Sequence, residues 1–136
     1  MYLYRAISIL CLLSTVSTTW ADEQCYQLTS HVEIRTCLET NAKESALADS
    51  QVEISLRSAL TQWNEEDQYK TRSITKFDAA ISQFQHYRKS QCEFQASLAA
   101  GGNAASDRGL RCQIDLNEKR IAELHFIMKS LKQSTF

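Results

Sequence analysis

Cysteines, histidines and closely spaced carboxylates are the side chains of this 136-residue chain whose types could build a reactive centre. The cysteines stand at 11, 25, 37, 92 and 112. A zinc site wants close ligand pairs such as C-x-x-C together with histidines at ligand spacing. No two cysteines are so spaced, and His31, His86 and His125 fall in separate predicted helices. Serine catalysis needs a base and an oxyanion hole around an exposed nucleophile, and no G-x-S-x-G elbow occurs. Glu65 and Glu66 are neighbours in sequence, so on a helix they diverge by about 100° and make no acid/base pair. The residues predict a protein that is not an enzyme, with no metal ligands and no cofactor.

The cysteines have another use. Arg5 followed by the apolar run Ala6 to Val16, then small residues at Thr19 and Ala21, has the layout of a secretory signal peptide. The run is shorter than the roughly 20 apolar residues a membrane span requires. Neither Cys11, after Leu10, nor Cys25, after Gln24, follows the small residue that a lipoprotein signal wants. The expectation is therefore a signal peptide over 1–21 and one domain over 22–136, periplasmic or secreted. Cleavage removes Cys11 and leaves Cys25, Cys37, Cys92 and Cys112, an even number that reads as two disulfides in an exported chain. It also removes Arg5, leaving 14 basic against 16 acidic side chains. So small an imbalance supplies no electrostatic case for nucleic acid or for membrane insertion after cleavage.

The elements that carry these cysteines are helices. The chain has no proline and three glycines, too few breakers for the turns of an all-β domain. Leu110, Ile114, Asn117, Ile121, Leu124, Met128 and Leu131 recur at steps of four and three, a helical seam with one polar interruption. Ser106 is its expected N-cap. Ile74, Phe77, Ile81 and Phe84 repeat the beat in a preceding helix capped by Thr71 or Ser73, with Tyr87, Phe94 and Leu98 as a second stripe. His31 to Gln68 is helical in composition and starts at a Ser30-x-x-Glu33 capping box. Asn41-x-x-Glu44 could restart it, so one helix or two fit, with Glu65-Glu66-Asp67 as a solvated acidic end. The fold expected is an all-α, three- or four-helix up-and-down bundle.

Gly101-Gly102 ends one helix and turns the chain. Cys92 and Cys112 lie ten residues either side of Gly102, so an antiparallel hairpin sets them face to face. Cys25 would then pair with Cys37 from a lead segment folded back onto the first helix. Four cysteines allow three connectivities, and this local one is favoured.

Two places read both ways. Arg88 continues the Ile81–Phe84 seam, so it is either an internal pair with its stem on Tyr87 or, with Tyr87, a partner-binding hot spot. The turn at Gly101, Gly102 and Asn103 is either a plain linker or a small uncharged tip able to enter another protein's cleft.

The run Phe84-x-x-Tyr87-Arg88-x-x-x-Cys92, then Glu93-Phe94-x-Ala96-Ser97-Leu98 and Gly101-Gly102, then Cys112 and Arg120-x-x-x-Leu124, resembles the LprI-type lysozyme-inhibitor domain. The likeness is good from Phe84 to Met128 and weaker from Cys25 to Trp63. The chain departs from the family pattern at Phe84, where tryptophan is usual, and at Lys89, where an acid is frequent. The resemblance implies a helical envelope protein that binds a protein partner and inhibits a lysozyme-type muramidase. The alternative is an envelope immunity or stress-linked module with the same fold and a different partner.

Overall fold

The computed structural model describes residues 24–133, so the expected signal peptide lies outside the described residues. Three long helices of 31 residues each run α1 (His31–Thr61), α2 (Asp67–Ser97) and α3 (Asn103–Gln133), up, down and up. Of the three- and four-helix alternatives, the bundle takes the first. No strand occurs among the described residues.

The capping box forms as the sequence predicts. Ser30 Oγ accepts from the Glu33 amide at 3.4 Å, and Glu33 Oε2 accepts from the Ser30 amide at 3.3 Å. Two of the orphan donors at this helix end are thereby satisfied. Asn41 starts no second helix; α1 runs through it, and its Nδ2 lies 3.3 Å from Cys25 Sγ. The lead segment folds back as expected, and Cys25 joins Cys37 with Cα atoms 5.6 Å apart.

Three local expectations need correction. First, α2 starts at Asp67, before Thr71 and Ser73, with Glu66 at the cap position and no side-chain cap bond. The acids at that turn offset the positive end of the helix dipole, which a hydroxyl cap would otherwise serve. Second, α3 starts at Asn103 rather than after Ser106. Ala100, Gly101 and Gly102 have φ of 53°, 96° and 75°, so the whole reversal is complete before Asn103.

The third correction concerns packing. α1 lies mainly on α3, α3 packs on α2, and α1 touches α2 only lightly. Consequently α2 buries just Phe77 and Cys92. Tyr87, Phe94 and Leu98, read as a second core stripe, are each 54% exposed. The apolar core is split in two. Cys25, Leu38, Ala42 and Ile114 pack near the α2–α3 turn, and Leu56, Leu60, Phe77 and Leu124 pack toward the other end.

Candidate functional site

The α2–α3 turn is a rigid tip. Cys92 and Cys112 are bonded with Cα atoms 5.4 Å apart, as the hairpin geometry predicts. Between that bond and the turn, a Cβ on Gly109 would lie 3.5 Å from Ala96 Cβ, so the two helices approach closely. Gly101 and Gly102 are exposed, and a Cβ on either would meet nothing. Their glycines serve the left-handed backbone and not a shortage of space.

The base of the tip is bolted to the start of α1. Asp107, buried, accepts from Arg35 Nε at 2.5 Å and sits 3.1 Å from His31 Nε2. Arg35 Nη2 also donates to the Asn103 carbonyl at 2.9 Å. Charge-assisted bonds of this kind are the stronger ones, and the two from Arg35 span 72 and 68 residues of sequence.

Between the two apolar clusters lies a layer of charge. Arg88 Nη1 donates to Asn117 Oδ1 and stands 3.6 Å from Asp49 Oδ2. Asn117 Nδ2 in turn donates to Ser45 Oγ at 2.9 Å. The Phe84 ring packs against two guanidiniums, those of Arg88 at 5.5 Å and Arg120 at 5.3 Å. Arg120 pairs with Glu123 at 3.0 Å, while Glu53 is buried one turn along α1 from Asp49. Asp49 Oδ1, Glu53 Oε1 and Arg120 Nε and Nη2 are buried without a protein hydrogen-bond partner. Burial pushes the Asp49 carboxyl above its usual range, and the charges of Arg88 and Arg120 pull it partly back. Glu53 is pushed up by burial and then by Asp49, with the same two arginines opposing. Packed between two apolar clusters, this layer stands where a single buried polar group sets register in coiled coils.

A groove of about 770 Å³ runs from Tyr87 toward the tip, between α2 and α3 and beside the lead segment. Tyr26, Leu98, Arg108 and Arg111 are among the side chains that line it. Arg111 lies over the Tyr26 ring, 5.1 Å from its centroid.

The candidate binding residues fall into two settings. Gly101, Gly102 and Asn103 stand exposed at the tip. Tyr87 is 54% exposed on the groove, some 20 Å down α2 by helical rise. Arg88, next to it, turns inward, with its side chain 23% exposed. The groove is what connects the tip with Tyr87. Sequence reasoning missed Asp49, Glu53 and the Arg35–Asp107 bolt, and singled out Arg120 only within the family-like motif. Asp49 carries a signal: Leu38, Ala42, Ser45, Asp49, Val52 and Leu56 keep a four–three beat, and the charge at Asp49 breaks it as Asn117 breaks that of α3.

Among the described residues, no cluster of three or more His, Cys, Asp or Glu side chains could hold a metal ion. None of their helices is long and apolar enough to cross a membrane. The chain matches the family described as lysozyme inhibitor LprI over residues 21–124, a stretch that holds both disulfides, the tip and the charged layer. No curated protein and no solved structure matches it.

Proposed function

Because the chain belongs to the LprI lysozyme-inhibitor family, we propose that it is a protein-binding module, periplasmic or secreted, that inhibits a lysozyme-type muramidase. The observation that carries the mechanism is the tip: an uncharged, exposed turn of small residues joining two helices clamped by Cys92–Cys112. Such a tip enters a substrate cleft with little loss of conformational freedom, because its shape is set before the partner arrives. Tyr87 extends the contact along α2, and Arg88 acts from beneath by holding that helix in place. Two disulfides in a family of inhibitors, not enzymes, fit a protein working outside the cytoplasm.

The acidic turn Glu65-Glu66-Asp67 lies at the other end of the bundle, about 45 Å away by helical rise. One compact contact cannot use both ends. The test is lysozyme-driven lysis of peptidoglycan-rich cells, followed by turbidity, with the oxidised protein added. The expected result is a dose-dependent block, weakened about tenfold or more by Asn103→Trp, which is about 1.4 kcal/mol of binding. A block untouched by tip substitutions but lost on Glu65→Lys/Glu66→Lys would overturn the tip mechanism. No block of animal-type or bacterial muramidases would overturn the inhibitor reading.

A further inference from the structure

The two turns of the bundle are built differently. At the tip, Ala100, Gly101 and Gly102 take left-handed backbone, and Cys92–Cys112 bonds the helices on either side. The turn between α1 and α2, residues 62–66, has neither device. Its sequence, Gln-Trp-Asn-Glu-Glu, holds no glycine and no proline. Gln62 leaves α1 at φ −92° and ψ 0°, still on the right-handed side, and Glu66 opens α2 without a side-chain cap bond. A glycine past the last turn and a bonded N-cap are what normally stop and start helices, and both are missing here. Glutamine and glutamate are good helix formers, and tryptophan and asparagine are intermediate ones. Nothing local in the sequence therefore prevents α1 and α2 from running on as one helix.

Covalent ties and packing divide the molecule at the same place. Cys25–Cys37 lies within the lead segment and α1, while Cys92–Cys112 joins α2 to α3, so neither bond crosses this turn. α1 touches α2 only lightly and packs mainly on α3. Leu38 and Ala42 cluster with Ile114, and Leu56 and Leu60 with Leu124. Arg35 bonds Asp107 at 2.5 Å, and Ser45 accepts from Asn117 at 2.9 Å. The helix that follows α1 in sequence is thus not the one that holds it.

We infer that this chain pairs with a second copy of itself by exchanging α1: residues 62–66 straighten, and each α1 lies on the α3 of the other copy. An α1 continued straight from the start of α2 points away from its own bundle. A twofold axis through the straightened turn brings it alongside the second copy's α3, in the same parallel sense as in the closed chain. Every contact named above is remade between copies, so the balance rests on the turn and on concentration. The two tips then stand at opposite ends, about 90 Å apart by helical rise, and one pair presents both of them. The exchange goes beyond the inhibitor reading and does not depend on it.

The test is light scattering on size-exclusion chromatography. The full chain is first refolded from urea, disulfides intact, at about 1 μM and at about 1 mM, in salt that screens the acids of the two turns where they meet. A dimer that grows with the concentration at refolding is expected. Deleting Asn64 and Glu65 leaves the turn too short to fold back and should raise the dimer fraction at the lower concentration about tenfold. Asn64→Gly/Glu65→Gly interrupts the continuous helix and should lower it several-fold. A second measurement separates exchange from side-by-side contact. Arg35→Glu and Asp107→Arg each set like charges together in a closed chain. Refolded as a mixture, an exchanged pair of the two variants has opposite charges at this position in both halves. The mixture should therefore form mixed dimers and recover most of the melting temperature that each variant loses alone. Only monomer at about 1 mM, from both the parent and the shortened chain, overturns the inference. So does a dimer that Asn64→Gly/Glu65→Gly leaves unchanged, or a mixture that melts as its separate variants do. Lysis assays play no part, so failure here and failure of the inhibitor reading are separate results.

Discussion

Replacing Arg88 by methionine tests the charged layer most directly. Methionine keeps an unbranched stem on Phe84 and removes the guanidinium. Asp49, whose side chain is 6% exposed, then loses the cation 3.6 Å away, and Asn117 loses its donor to Oδ1. Removing one partner of a buried ion pair costs about 3–5 kcal/mol, because the other charge stays buried. Arg88 is itself 23% exposed, so water screens part of the pair and the lower end applies. The expected loss near neutral pH is about 3 kcal/mol, or roughly 10 °C in melting temperature. Asp49→Asn added to Arg88→Met should recover most of it, since no charge then remains stranded. The pH dependence has a definite sign. Burial holds the Asp49 and Glu53 carboxyls above their unfolded values. The folded state therefore binds protons that the unfolded state has released, and these two groups make the protein less stable as pH rises through that window. Loss of Arg88 removes a charge that lowers both carboxyls, so protonation in mild acid should relieve the variant more than the parent. Urea unfolding followed by circular dichroism between about pH 4.5 and 7, with disulfides intact, measures both effects. A loss below about 1 kcal/mol at pH 7, or one that does not shrink toward acid, would refute the reasoning.

Three further outcomes follow from the geometry. Cys92→Ser/Cys112→Ser opens a 20-residue loop and should cost about 3 kcal/mol of stability in denaturant melts, with inhibition falling as the tip loses its clamp. Asp107→Ala removes the acceptor shared by Arg35 and His31. Arg35 retains some access to solvent, so the expected loss is about 2 kcal/mol, with faster amide exchange at the start of α3. Gly102→Ala puts a side chain at φ 75° in open space and should cost about 1 kcal/mol by strain alone, read as a small fall in melting temperature.

The charged layer also bears on how the helices find their places. α1 and α3 each carry an apolar seam that tolerates sliding by a turn. A slide would bring Asp49 or Asn117 against leucines and strand a buried polar group, at a cost of about 1–3 kcal/mol for a neutral group and more for a charge. The layer thus excludes alternative registers that apolar packing alone would leave close in energy.

What the sequence determined by itself is what short-range physics controls. The capping box at Ser30, the left-handed turn at Gly101-Gly102 and both disulfides each depend on residues within about 20 positions of one another. Spacing and side-chain type settle the cap and the turn before any tertiary contact forms, and for the disulfides they favour the local pairing among the three that four cysteines allow. The helical seams were legible for the same reason. The direction of Arg88, the burial of Asp49 and Glu53 and the composition of the groove were decided only by the tertiary structure. Each depends on which faces of the three helices meet, and the bonds involved cross 29 to 72 residues. A helical period shows that a position lies on a seam, but not whether a neighbouring helix covers it. Tyr87, Phe94 and Leu98 kept the period and stayed exposed, because α1 packs mainly on α3 and leaves that face of α2 open.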